Sequence, residues 1–276
     1  MDNVYVVNKS GEDKESGVSV VVGFVMVLAI IAIVIAIWAV LGVPGQITEA
    51  KYIHSLELEN KMGDLQTSLY SLYQSNTDMN VGTRTAASNL MYSLILPVGS
   101  SYGVGILELE NDVGSFSYGG EPVCSVDRLS VTIGSSEIGL EGGGVFRRDG
   151  DTAYWVISPY FDSGDSSLII PRFSGSSLSV GSNGNLALDV WLTDKPVQKY
   201  STAVKTYSPD MAWTYTANEA WDAALWYQFF YEESKKERYV TQVGSYLAGK
   251  TEVSGIYMRY EIKSPQFGIR LTPKED

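Results

Sequence analysis

Few residues in this chain have the types and spacing that chemistry requires. His54 is the single histidine among 276 residues, so a His-rich metal site is ruled out, and no nucleophile stands in a sequence context that would use it as a base. Two acidic turns, Asp149-Gly150-Asp151 and Asp162-Ser163-Gly164-Asp165, offer carboxylates and carbonyls of the kind Ca²⁺ takes. Neither has the EF-hand spacing, and Asp with Gly between strands is the commoner chemistry of a plain turn. The adjacent Glu232 and Glu233 belong to a charged helix end, Glu-Glu-Ser-Lys-Lys-Glu-Arg, and read as a solvated face. Glu108 and Glu110 alternate with Leu107 and Leu109, which places them on the wet face of a strand. Cys124 is the only cysteine, which excludes an intrachain disulfide and reads as a buried apolar residue. No G-x-S-x-G, H-E-x-x-H, C-x-x-C or P-loop pattern occurs. The expectation is a protein that is not an enzyme and needs no cofactor or metal.

The charge balance points the same way. A formal net charge of −12 argues against nucleic acid as a partner, because phosphate contacts need clustered Lys and Arg. It suits a surface that must stay soluble outside the cell. Eighteen tyrosines and six tryptophans would serve a carbohydrate-binding face or a subunit interface. They equally fill a β-rich core, and core and interface are favoured here.

The element that positions everything else is an uncharged apolar run over residues 18–43, long enough to cross the roughly 30 Å hydrocarbon core of a bilayer as a helix. It is about twice the length of a signal-peptide core and lacks a following A-x-A site. A permanent anchor and a leader cut ahead of the run both fit its length. Pro44-Gly45 follows, where the missing backbone donor predicts a kink or break. Helical pattern then resumes through residue 75, with Leu58, Met62, Leu65, Leu69 and Leu72 forming one stripe. Residues 105–110, 129–133, 154–157, 167–170 and 185–192 read as strands, separated by Gly, Ser, Asp and Pro clusters. The Ser/Gly-rich stretch 174–184 reads as a loop. Residues 218–238 read as a helix with Trp221, Leu225 and Phe229 on its aromatic face, beside Ala224 and Tyr231. Two strands, near 253–262 and 267–271, close the chain. The fold class is α+β: a long N-terminal hydrophobic helix, then an antiparallel β-sandwich-like domain with one C-terminal helix.

The junction at the start of the apolar run is its most specific feature. Polar Lys14-Glu15-Ser16-Gly17 gives way to Val18-Ser19-Val20-Val21-Val22-Gly23-Phe24. This resembles the class III signal peptides of archaeal type IV pilins, in which a polar leader ending in a small residue precedes a V-S-P-V-I-G-like stretch. Val18, Ser19, Val22 and Gly23 stand at matching places. Residues 140–148, Leu-Glu-Gly-Gly-Gly-Val-Phe-Arg-Arg, with Val156-Ile157-Ser158-Pro159, and the Trp-containing helix from Ala220 through Phe230 are similar to features of archaeal pilin-like surface proteins.

The resemblance implies four regions: a leader over 1–17, a transmembrane or filament-core helix over 18–43, an amphipathic continuation over 44–75, and an extracellular β-rich domain over 76–276. It implies that a prepilin peptidase cuts between Gly17 and Val18, and that an assembly ATPase and a platform protein extract the subunit from the membrane. Self or other pilins are then the polymer partners, with Gly23, Phe24, Ala29, Ala32, Ala36 and Ala39 as helix-packing residues. The precursor would sit in the cell membrane and the mature chain in a surface filament, with a possible adhesion role. The alternative is a single-pass, membrane-anchored extracellular binding or adhesion domain that does not polymerise.

Overall fold

The structure is a computed structural model that describes residues 12–77, 90–99, 103–162, 167–193, 212–258 and 261–273. The chain divides into two units, Met1–Ile53 and His54–Asp276.

Helix α1, Glu12–Thr77, is shared by both units. Contrary to the expectation of a break, it continues through Pro44-Gly45. A proline removes a single i→i−4 hydrogen bond, a local loss that the turns on either side accommodate without leaving helical geometry.

In the second unit, α1 displays the predicted stripe. Leu58, Met62, Leu65 and Leu69 are buried, with Tyr73 joining them and Leu72 half-buried at the edge. Their 4-3-4-4 spacing keeps them on one side of a 3.6-residue helix. They pack with Leu94, Leu96, Leu107, Leu129, Leu140, Leu188 and Phe267 in one apolar cluster. The helix is also tied by charge. Arg147 Nη1 donates to Glu59 Oε1 at 2.8 Å and to Ser55 Oγ at 3.3 Å.

Among the described residues, strands form three sheets. The first has β1 (Met91–Pro97), β11 (Asn185–Leu192), β16 (Gln266–Pro273) and β9 (Arg172–Ser174), in that order. The second is the largest and antiparallel. Its order is β13 (Val240–Gln242), β14 (Glu252–Met258), β12 (Trp213–Ala217), β2 (Gly105–Tyr118), β3 (Glu121–Ile133), β4 (Ser136–Glu141), β5 (Gly144–Asp149) and β6 (Thr152–Ile157), with β10 (Leu178–Ser182) also pairing β2. The third joins β15 (Glu261–Lys263), β8 (Ser167–Ile169) and β7 (Phe161–Asp162). The observed class is therefore an N-terminal apolar helix, a large antiparallel β-rich region and a C-terminal helix.

The Ser/Gly-rich stretch 174–184 departs from its expected loop. β10 lies within it, pairing Leu178 with Leu109 and Val180 with Leu107. Leu178 and Val180 pack against the apolar cluster, so two alternating apolar side chains outweigh the weak strand preference of their Gly and Ser neighbours. The stretch 253–262 holds two strands, β14 and β15, in different sheets.

Helix α2, Ala220–Lys235, carries a second cluster with Phe116, Trp213, Tyr215 and Val253. Its buried face is Asp222, Ala223, Leu225, Trp226, Phe229, Phe230 and Glu233. Leu225 and Phe229 are on the expected face. Trp221 and Ala224 are only half-buried and Tyr231 is exposed. The face is rotated because Trp226 and Phe230, four apart, fill the space over Phe116 at ring-centroid distances of 5.2 and 6.0 Å.

Candidate functional site

Two features stand out for function: an unburied apolar helix segment in the first unit, and a buried ionic centre in the second.

Within α1, the 18 residues Val21–Trp38 have a mean hydropathy of 3.1 and none of that window is buried. At about 1.5 Å per residue the segment spans roughly 27 Å, close to the hydrocarbon thickness of a bilayer. Phe24 is 64% exposed and Trp38 58%. Of the residues expected to pack helices, Gly23, Ala29, Ala32 and Ala36 are exposed, and a Cβ at Gly23 would meet nothing within 4 Å. At about 100° per residue, Ala29, Ala32 and Ala36 share one face, and Gly23 falls on another. The side chains of Gly17, Val18 and Ala39 lie outside the described ones. Residues 1–11, part of the expected leader, lie wholly outside the described residues.

The ionic centre sits where α2 meets the large sheet. Arg128 on β3 donates from Nε to Glu141 Oε2 at 2.7 Å, from Nη2 to Asp222 Oδ2 at 3.0 Å and from Nη1 to Glu110 Oε2 at 3.2 Å. Glu141 and Asp222 have no exposed side-chain surface, and Arg128 has 5%. Each carboxyl takes one further donor. Trp226 Nε1 donates to Glu141 Oε1 at 2.7 Å, and the Tyr215 hydroxyl donates to Asp222 Oδ1 at 2.9 Å. Burial opposes the charge on Arg128, but Glu141 and Asp222 overcome it and hold its pKa above the usual arginine value. Burial, reinforced by Glu141, pushes the Asp222 carboxyl well above the usual range, against the pull of Arg128 and Tyr215. Tyr215 is raised by burial and then by Asp222. Apart from Glu110 the centre is almost closed to solvent, and its charges are paired where they are buried.

The turn between β4 and β5 extends this centre. Gly142 and Gly143 have φ of +51° and +82°, a conformation that favours glycine. A Cβ at Gly142 would stand 2.4 Å from the Trp226 ring, and one at Gly144 would stand 2.5 Å from the Trp155 ring. The three consecutive glycines thus let two indoles close over the turn.

A shallow groove of about 380 Å³ opens at the start of α2, lined by Arg148, Asp151, Trp221, Tyr246 and small residues. Trp221 is flanked by the guanidinium groups of Arg128 and Arg148 at 4.4 and 4.6 Å from its ring centroid. The lining residues bring no nucleophile beside a base.

Other residues singled out by type have plainer roles. His54 is half-buried, and burial, opposed by Glu57, lowers its pKa. Asp149 and Asp151 flank the β5–β6 turn, where Asp149 accepts from Arg147 Nε at 2.7 Å and Ser136 Oγ at 2.5 Å. Residues 163–166, including Asp165, lie outside the described residues. Cys124 is buried, and its thiol is pushed up to about 12 by that burial, as an inert thiol requires. Glu232 is exposed, but Glu233 is buried and pairs with Lys236 Nζ at 2.6 Å, so only the first faces solvent as expected. Glu110 is on the outer face as expected but serves as Arg128's third partner.

Sequence reasoning missed Arg128, Glu141, Tyr215 and Asp222 as a group. The available signal was Asp222 itself, a carboxylate four residues before Trp226 on the apolar side of a helix. No family model, curated protein or solved structure matches this chain.

Proposed function

We propose that this chain is a subunit, major or minor, of an archaeal type IV pilus-like surface filament, assembled through its N-terminal apolar helix. One observation carries the reading: Val21–Trp38 is apolar enough to span a bilayer, and none of its residues is buried within the chain. Such a helix needs a covering of lipid or of other helices. Removal of the leader at Gly17–Val18 by a prepilin peptidase would place the apolar segment at the mature N-terminus. An assembly ATPase and a platform protein would then move it from the membrane into a bundle of identical or related helices. That exchange costs little, because lipid tails and neighbouring apolar side chains have similar polarity. Ala29, Ala32 and Ala36 would form the seam of closest approach. The β-rich region, arranged in a sandwich-like way, would face solvent and carry any adhesive contact.

The mechanism is association without catalysis. Shearing cells and sedimenting the released material tests it. Recovery of this chain in high-mass filaments supports the proposal. A chain found only in the membrane fraction replaces it with an anchored binding domain that does not polymerise.

A further inference from the structure

The ionic centre around Arg128 sets two fully buried carboxyls, Glu141 and Asp222, against one guanidinium. We propose that Asp222 is buried as the protonated acid, sharing Arg128 with an ionised Glu141, and that this proton locks α2 onto the large sheet.

Geometry carries the argument. Glu141 Oε2 and Asp222 Oδ2 accept from Nε and Nη2 of the same Arg128 guanidinium at 2.7 and 3.0 Å, and neither carboxyl has exposed side-chain surface. Two ionised carboxylates have only acceptors to offer each other, so one guanidinium is all that holds their charges together. Among the described residues, the surrounding groups supply no other neutraliser. From β2 comes Glu110, half-exposed and itself on Arg128. From β3 comes Arg128, among the described residues the sole cation in contact with both buried carboxyls. β4 adds Glu137, another acid, and β5 adds Arg148, which is engaged by Glu137 at 3.4 Å and by Glu219 at 3.8 Å. β12 adds Tyr215, a neutral donor, and the α2 N-cap is the acidic Glu219. One guanidinium facing two fully buried carboxylates would leave an uncompensated negative charge, which is costly in a dry interior. A single proton removes it.

The contacts also assign the proton. Glu141 receives the shorter bond from Arg128, 2.7 against 3.0 Å, and the shorter neutral donor bond, 2.7 against 2.9 Å. Charge-assisted bonds shorten when the acceptor is ionised, so the negative charge rests on Glu141 and the proton on Asp222. The raised affinity of Asp222 for its proton has the same cause, burial beside Glu141.

Infrared spectroscopy of the full chain in detergent micelles tests this. At about pH 7, far above the ordinary aspartate value of about 3.9, the folded protein is expected to show the C=O stretch of a protonated carboxylic acid. One such group's intensity is expected to vanish in Asp222→Asn. Folded wild-type protein with no protonated-acid band at that pH overturns the proposal, and this reading needs no variant. The second measurement is stability against pH. Wild type loses stability as pH rises from about 4 toward the raised value of Asp222, and Asp222→Asn lacks that component. An identical slope in both also overturns the proposal.

Discussion

Gln66 Nε2 donates to the Gly143 carbonyl at 2.6 Å, joining the C-terminal part of α1 to the β4–β5 turn across 77 residues of sequence. The same amide reaches the Ser158 carbonyl at 3.1 Å. The bond orients the helix over the sheet where the apolar stripe alone would permit sliding. Gln66→Ala removes the donor and leaves the Gly143 carbonyl without it, so stability falls by about 1–3 kcal/mol. Urea denaturation of wild type and variant measures the difference.

The glycine turn makes a sharper comparison. Gly142 combines a φ of +51° with a Cβ position 2.4 Å from Trp226, and Gly120 combines a φ of +88° with open space. Gly120→Ala pays only the backbone strain of about 1–2 kcal/mol. Gly142→Ala adds overpacking of about 1–3 kcal/mol. Thermal unfolding followed by tryptophan fluorescence is expected to rank Gly142→Ala well below Gly120→Ala.

Leu65 is wholly buried in the cluster beneath α1, and Leu56 on the same helix is 37% exposed. Leu65→Ala is expected to cost about 2–5 kcal/mol. Leu56→Ala is expected to stay within about 0.5 kcal/mol of wild type. Equal losses in chemical denaturation would show that the stripe is not the docking face.

Asp189 on β11 accepts from Ser93 Oγ at 2.5 Å and from Arg270 Nη2 at 2.6 Å, tying β1, β11 and β16 together. The Ser93 bond, then Arg270, lowers its pKa below the ordinary value. A carboxylate with a lowered folded pKa stabilises the protein above its unfolded value of about 3.9, and that contribution is lost as pH falls through the folded value. Asp189→Asn is expected to flatten this part of the acid limb in a melting-temperature series against pH. The limb would keep the contribution of Asp149, whose lowered pKa reflects Arg147 and Ser136 acting against burial.

The parts of the fold legible in the sequence are those with a local period. The α1 stripe shows at 3.6-residue spacing because one side of that helix enters one apolar cluster, to which two sheets contribute. The segment Asn185–Leu192 alternates in sequence and in burial because β11 presents one face to the cluster. β10 was hidden because its Gly and Ser residues look like a loop until Leu178 and Val180 find β2. The ionic centre had no local signature at all. Arg128 and Asp222 are 94 positions apart, and only the folded sheet brings β3 under α2. The apolar run was plain from composition, and its lack of burial required the structure.

The most direct test of the filament account is the N-terminal residue of the chain recovered from sheared surface material, read by intact-mass and peptide mass spectrometry. The account predicts a mature chain that begins at Val18, with residues 1–17 absent. A chain that still begins at Met1 or Asp2 would contradict pilin-type processing and leave a membrane-anchored domain in its place.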